Sequence, residues 1–318
     1  MSLFWKCAIA FVIFFQGILI LRYYNWRIFN VKTAPKKFVG FHLNFGRLGN
    51  QLFHMITGYG IARAMNRGHY LPFEDAREHV EKYLIHLEEI FPRLKQTYVL
   101  AKRGTKQRNV PFSPNCCSYH DPSRLNNLTD QFLLLDLIYG QNPGYFEHYL
   151  ADVRDILQFS EKVVLDGSRT LLNLTNYTSS MCIHVRLGDF IERKLATDMN
   201  VTVKAANAIA RKKNLSHFMI FGDDQQFMKK MSKNIMKEGR WRNGAVAISN
   251  YTESTDLYLA SQICSSFLIA AVTSTFGWWL AFFAQDQNAV YYLNDTRPHA
   301  DKVPSKELFL KSWQVYPG

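Results

Sequence analysis

The run Met181-Cys182-Ile183-His184-Val185-Arg186-Leu187-Gly188-Asp189 closes an apolar stretch with an arginine and a carboxylate on either side of a glycine. This is the pattern of a strand that carries a cation to its end. At a period of two, Cys182, His184 and Arg186 share one face and Ile183, Val185 and Leu187 the other, while Gly188 permits a sharp turn. In open α/β sheets the carboxyl ends of the strands border the ligand crevice, and a guanidinium there can grip a pair of phosphate oxygens through parallel N–H donors. The structural alternative is an Arg–Asp pair that braces the turn.

Two other segments could bring polar groups to the same edge. Gly222-Asp223-Asp224 follows the apolar run Phe218-Met219-Ile220-Phe221 and opens a helix. A carboxylate there either caps that helix or accepts hydrogens from a guanine edge. Thr273-Ser274-Thr275-Phe276 also lies between a strand and a helix; its hydroxyl and N–H groups suit a phosphate, and Ser and Thr are equally common as caps. Nearer the amino terminus, Gly46-Arg47-Leu48-Gly49-Asn50-Gln51 forms a glycine loop before a helix, where Arg47 and free N–H groups could meet an anion or a sugar. In Gly144-Tyr145-Phe146-Glu147-His148-Tyr149, aromatics beside a carboxylate could stack on a sugar or pack into the core. No Asp-x-Asp occurs in the sequence. Without such a pair to hold a divalent ion, arginine and helix N-termini would have to neutralise a leaving diphosphate.

The elements that must position these groups follow from periodicity. Phe38 to Leu43 reads as a strand. Leu52, Met55, Ile56, Tyr59, Ala62 and Met65 recur at helical spacing, and His69 to Leu71 is a second strand. Residues 108 to 127 read as a loop rich in Pro, Ser and Asn, and Gln131 to Ile138 as a buried strand or short helix. After residue 181 the alternation is regular. Strands are expected at 182–186, 217–221, 245–249, 267–272 and 289–293, with helices near 201–213, 224–238, 255–265 and 276–285. The fold class is therefore α/β, with two Rossmann-like domains facing a cleft. The expected division is an amino-terminal segment over 1–37, an acceptor-side domain over 38–165 and a nucleotide-binding domain over 166–318.

The chain of 318 residues is 47% hydrophobic and 20% charged, so it can bury a large core and is not disordered. A formal charge of +12 favours anionic ligands. Cys7 to Leu21 carries no charge and suits a short membrane anchor, and no small-x-small cleavage site follows it. Basic residues after this span would favour a cytosolic body. Against that stand N-glycosylation acceptor triplets at Asn127, Asn173, Asn176, Asn200, Asn214, Asn250 and Asn294, which favour a lumenal one. The anchor and the triplets exclude a nucleic-acid partner. Of five cysteines, the neighbours Cys116 and Cys117 are not expected to bond each other, and pairing of either with Cys182 or Cys264 is open.

Taken together, Phe45 to Gln51, Gly144 to Glu147, the His184-x-Arg186-x-Gly188-Asp189 segment and Ser274 to Ala281 resemble the α1,2-fucosyltransferase family in order and spacing. The resemblance spans about residues 38 to 293. It implies a single-pass type II Golgi membrane enzyme of GT-B architecture. Such an enzyme moves L-fucose from GDP-L-fucose, with inversion, to the 2-hydroxyl of a galactose-terminated glycan and needs no metal or other cofactor. It also implies site residues. Arg186 would bind the β-phosphate, with Asp189 beside it; His184 and Asp223 or Asp224 would serve the guanosine; Thr273, Ser274, Thr275 and Phe276 would hold nucleotide or phosphate; and Arg47 and Asn50 would face the cleft. The family pattern more commonly has a second arginine where Leu187 stands, a position whose side chain should turn to the core. On this reading transfer activity persists in excess EDTA; loss of activity restored by manganese would show the opposite.

Overall fold

The computed structural model describes residues 37–44, 46–73, 77–113, 115–300 and 302–317, so the anchor expected over residues 1–37 lies, Lys37 apart, outside the described residues. Two sheets form the core, and every pairing within them is parallel. The first contains β1 (Phe38–Phe41), β2 (Gly68–Leu71), β3 (Tyr98–Leu100), β4 (Arg108–Ser113) and β5 (Phe132–Leu137), in the order β3-β2-β1-β5-β4. The second contains β6 (Ser180–His184), β7 (His217–Phe221), β8 (Ala245–Ile248), β9 (Cys264–Ile269), β10 (Val290–Leu293) and β11 (Gln314–Tyr316), in the order β11-β10-β9-β6-β7-β8. Read from β8, this is the doubly wound 3-2-1-4-5-6 order, whose switch point lies between β6 and β9.

Nine helices among the described residues connect the strands: α1 (Leu48–Ala64), α2 (Arg77–Ile90), α3 (Leu150–Ile156), α4 (Glu161–Leu171), α5 (Gly188–Glu192), α6 (Met199–Lys212), α7 (Gln225–Gly239), α8 (Glu253–Ile263) and α9 (Thr275–Phe283). Their starts are legible as caps. Ser160, Asp198, Asp224, Thr252 and Ser274 each accept a hydrogen bond from a backbone N–H in the first turn of α4, α6, α7, α8 and α9. The expected division at residues 165 and 166 falls inside α4. Ser168 on that helix meets the Tyr258 hydroxyl of α8 at 3.0 Å, so α4 belongs with the second sheet, and residues Phe38–Gly318 pack as one compact unit.

Other expectations need correction. The stretch read as a loop from Arg108 begins with β4, an edge strand paired only with β5, a place where Pro111 and its missing N–H are tolerated. Of the two readings open for Tyr145 and Phe146, packing into the core is the one that holds, since both are buried. Phe146 stacks on Trp279 of α9 at 6.2 Å between ring centres, and Phe53 of α1 approaches Trp279 at 5.1 Å. Cys116 and Cys117 are bonded to each other, and Cys182 is bonded to Cys264. The second pair is natural for neighbouring strands, with Cα atoms 5.4 Å apart. Cys116 and Cys117 are both buried.

The junction of α1 with α9 joins the sheets. Trp279 Nε1 donates to the Gly49 carbonyl at 3.0 Å, and a Cβ on Gly49 would lie 2.7 Å from the backbone nitrogen of Phe276. Only a residue without a side chain allows the two helix starts to meet so closely. Gly49→Ala should therefore force backbone apart and destabilise the protein by about 1–3 kcal/mol, measurable as a lower denaturant midpoint, with weakened ligand binding. A second prediction concerns acid. Burial holds His69 and His184 down to about pKa 3 from 6.5, and lowers His54 as well. These rings are neutral when folded but take up protons when unfolded, so their contribution is intact above pH 6.5 and is lost as pH falls toward 3. Each should cost about 1.4 kcal/mol per pH unit in that window. Unfolding free energy measured from pH 7 to 5 should show this slope, reduced in His69→Gln.

Candidate active site

Each segment that could carry chemistry sits at a carboxyl end of a strand or an amino end of a helix, and most converge on one cavity of about 370 Å³. Its wall includes Arg47, Asn50, Arg186, Asp189, Thr273, Ser274, Thr275 and Phe276. From the first sheet comes the start of α1. Gln51 is fully buried and its amide donates to the carbonyls of Asn44 and, at 3.0 Å, Gly46. This fixes the loop before the helix, so Arg47 and Asn50 are presented to the cavity. Arg47 lies 3.6 Å from Asp189, a contact between the two halves.

From the second sheet comes Arg186, just past the end of β6. Its guanidinium bonds Asp189 at 2.5 and 3.1 Å and lies 3.1 Å from Asp223. Its backbone exchanges hydrogen bonds with Thr197. The brace and the cavity group are thus the same residue: two carboxylates fix the guanidinium while it stays in the cavity wall. Burial would raise Asp189, but the hydrogen bond and charge of Arg186, with Arg47, outweigh it and hold that carboxyl below the usual range. An ionised, arginine-bound carboxylate is a poor proton acceptor, and Asp189 serves as a positioning group. Leu187 is turned inward as expected, and its N–H donates to Asp223 at 2.9 Å.

Three residues expected at the nucleotide are placed differently. His184 is buried beneath α9, where a Cβ on Gly277 would collide with its ring, and it does not line the cavity. Asp224 caps α7 through the Phe227 N–H at 2.8 Å. Asp223 holds Arg186 and the Leu187 N–H from behind. Of the β9–α9 turn, Ser274 caps α9, and Thr275 donates to Asn50 Oδ1 at 2.8 Å across the junction. Glu147, an available carboxylate in the sequence, is engaged by Lys311 at 2.8 and 3.0 Å, away from the cavity.

Other lining residues went unread in the sequence. Gln141, Arg193, Glu253, His299 and Lys302 all reach the cavity. Gln141 follows a turn in which Tyr139 and Gly140 are both left-handed, and the glycine was the one available signal. Glu253 opens α8 just after its Thr252 cap, and Arg193, His299 and Lys302 lie on segments without a pattern of their own. A second cavity of about 680 Å³ lies near the ends of β9 and β10, lined by Thr197, Phe227, Asp295, Arg297 and Tyr316 among others. Thr197 of this cavity is hydrogen-bonded to Arg186 of the first. No cluster of three or more His, Cys, Asp or Glu side chains suited to a metal occurs among the described residues.

Several known proteins are similar to this chain. The chain is 26% identical to a putative glycosyltransferase of Caenorhabditis elegans, over 96% of this chain and 93% of that protein. It is 27% identical to a galactoside 2-alpha-L-fucosyltransferase of the same organism, over 78% of this chain and 68% of that one. Among solved structures, POFUT1 in complex with GDP-fucose superposes with a TM-score of 0.51 at 10% identity, covering 82% of this chain and 98% of that one. A variant of Arabidopsis thaliana FUT1 in complex with GDP also gives 0.51, at 12% identity, over 85% and 72%. At such identities the superpositions establish the fold. The sequence profile of Glycosyl transferase family 11 matches residues 139–316, more than half of the chain and all of the second sheet. The protein is a glycosyltransferase and belongs to glycosyl transferase family 11.

Proposed function

We propose that the protein transfers L-fucose from GDP-fucose to the 2-hydroxyl of a galactose on a glycan, with inversion at the anomeric carbon. The observation that carries this reading is Arg186, a guanidinium fixed by two carboxylates at the switch point of a doubly wound sheet and facing a cavity. In the transfer, the bond from the anomeric carbon to the β-phosphate oxygen breaks as the galactose 2-hydroxyl oxygen attacks from the opposite face and loses its proton to water, and charge grows on the departing GDP. A guanidinium already oriented there stabilises that charge without moving a proton. The α9 start offers backbone N–H groups and the Ser274 hydroxyl to the same anion, while the Thr275 hydroxyl is already given to Asn50. His184 lies under α9 and Asp224 caps α7, so we assign the guanosine to the second cavity, where Phe227 and Tyr316 offer aromatic surface. Named relatives that are galactoside 2-alpha-L-fucosyltransferases support the linkage.

The same reading makes the protein a metal-independent, single-pass Golgi enzyme with a lumenal body, anchored through residues 1–37. Support comes from the seven glycosylation acceptors, all of which are exposed, and from two disulfides, which persist in oxidising compartments. The test is to incubate the purified protein with GDP-fucose and a glycan array and to determine the linkage of the product. Fucose is expected on the 2-hydroxyl of terminal galactose; another position would overturn the linkage. Arg186→Ala should lower kcat/KM by about 100-fold or more, roughly 3 kcal/mol of transition-state stabilisation, whereas near-normal activity would remove Arg186 from this role.

A further inference from the structure

A lysine lies buried in the cavity wall, and no carboxylate among the described residues forms an ion pair with it. Lys302 and His299 exchange two backbone hydrogen bonds of 3.0 Å, and between them Ala300 takes a left-handed φ of 55°. A non-glycine residue held in that region is strained. The lysine's ammonium donates to Gln141 Oε1 at 3.0 Å and to the Thr273 carbonyl at 3.2 Å. Both acceptors are neutral, and an ammonium has three donors, so one is left over. Burial pushes the Lys302 pKa down to about 7, because no opposite charge offsets the loss of water. A buried cation without a counter-ion is costly, and in a cavity wall the missing counter-ion is expected from a ligand.

Gln141 extends the contact. Its amide donates to Asn50 Oδ1 at 3.0 Å, and the same oxygen accepts from Thr275 at 2.8 Å. Lys302 is therefore hydrogen-bonded to the strand end that precedes α9 and, through Gln141 and Asn50, to the start of α1. Tyr139, shortly before Gln141, also has a left-handed φ, of 61°, so strained backbone lies close to both partners of the Lys302–Gln141 bond.

We propose that Lys302 is a second cation of the donor site, an ammonium that binds the diphosphate of the nucleotide alongside Arg186 and couples it to both helix starts. The proposal rests on the GDP-fucose reading. An anion beside Lys302 favours its charged form, so GDP binding takes up a proton. Arg47, Arg186, Arg193, Asp189, Glu253 and His299 face the same cavity, and substitution of the lysine alone separates its proton from theirs.

Calorimetric titration of GDP at pH 8, in two buffers of different ionisation heat, should show proton uptake by the wild-type protein and none by Lys302→Met. GDP affinity should fall by about tenfold or more, the loss expected for a hydrogen bond to a charged group, while guanosine affinity changes less than about twofold. Transfer by the variant should fall in kcat at saturating donor as well as in kcat/KM. Methionine fills the same space without a buried charge, so the melting temperature should hold or rise. Equal loss of GDP and guanosine binding, a lower melting temperature, or unchanged GDP binding would each overturn the proposal. Inorganic pyrophosphate separates it from the reading beneath it. Binding of pyrophosphate that needs Lys302, in a protein that transfers no fucose, would sink the function and keep the anion site; binding unaffected by Lys302→Met would sink the anion site alone.

Discussion

The constraint on which the rest of the structure depends is the meeting of α1 and α9 at their amino ends. Each helix follows the central part of its own sheet, and each begins at a carboxyl strand edge, so joining the two starts turns both edges toward a common cavity. The approach is so close that Gly49 has no room for a Cβ against Phe276. Trp279 fills the junction below, with Phe53 and Phe146 against it and its indole N–H on the Gly49 carbonyl. Buried aromatics of this size contribute several kcal/mol each, of the order of 25 cal/mol per Å² removed from water. Above that apolar plug, the Asn50–Thr275 and Asn50–Gln141 hydrogen bonds continue the junction into the cavity wall. Packing and polar contacts are therefore one continuous seam.

Much of the second sheet was legible because β6, β7, β9 and β10 are buried on both faces and helices alternate with the strands, whereas the short, exposed β11 left no such run. Apolar runs such as Phe218 to Phe221, each followed by a capping residue, mark boundaries well. The first sheet was harder for definite reasons. β3 has only three residues, and β4 contains Pro111, which argues against a strand unless that strand is at an edge. The aromatics at Tyr145, Phe146 and Trp279 could equally face a sugar or a core. Burial decides it, and burial depends on a contact between residues more than a hundred positions apart.

The candidate site divides along the same line. Arg186, Asp189, Arg47 and Asn50 are legible because each lies in a short motif that joins a glycine to a helix start. The role of the carboxylates was less legible, since Asp223 supports Arg186 through space from the next strand. His184 shows where alternation misleads. It shares a strand face with Arg186, yet the strand ends at His184 and α9 covers that ring. Lys302 could not be read at all and Gln141 had only the neighbouring Gly140 to mark it, because what makes them significant is burial and a hydrogen bond between distant segments.

The charges of the cavity wall form a coherent set. Four basic residues, Arg47, Arg186, Arg193 and Lys302, face two acidic ones, Asp189 and Glu253. Asp189 is already shared by Arg186 and Arg47, so an incoming diphosphate must compete with it rather than fill an empty socket. Such competition lowers the cost of holding arginines together before the ligand arrives, and it leaves each guanidinium with donors still unused. Lys302 has no carboxylate of this kind among the described residues, and burial lowers its pKa to about 7 instead. An anion that enters meets one cation pre-paired and another waiting for its proton, and the wall gains positive charge only as that anion supplies the opposite sign.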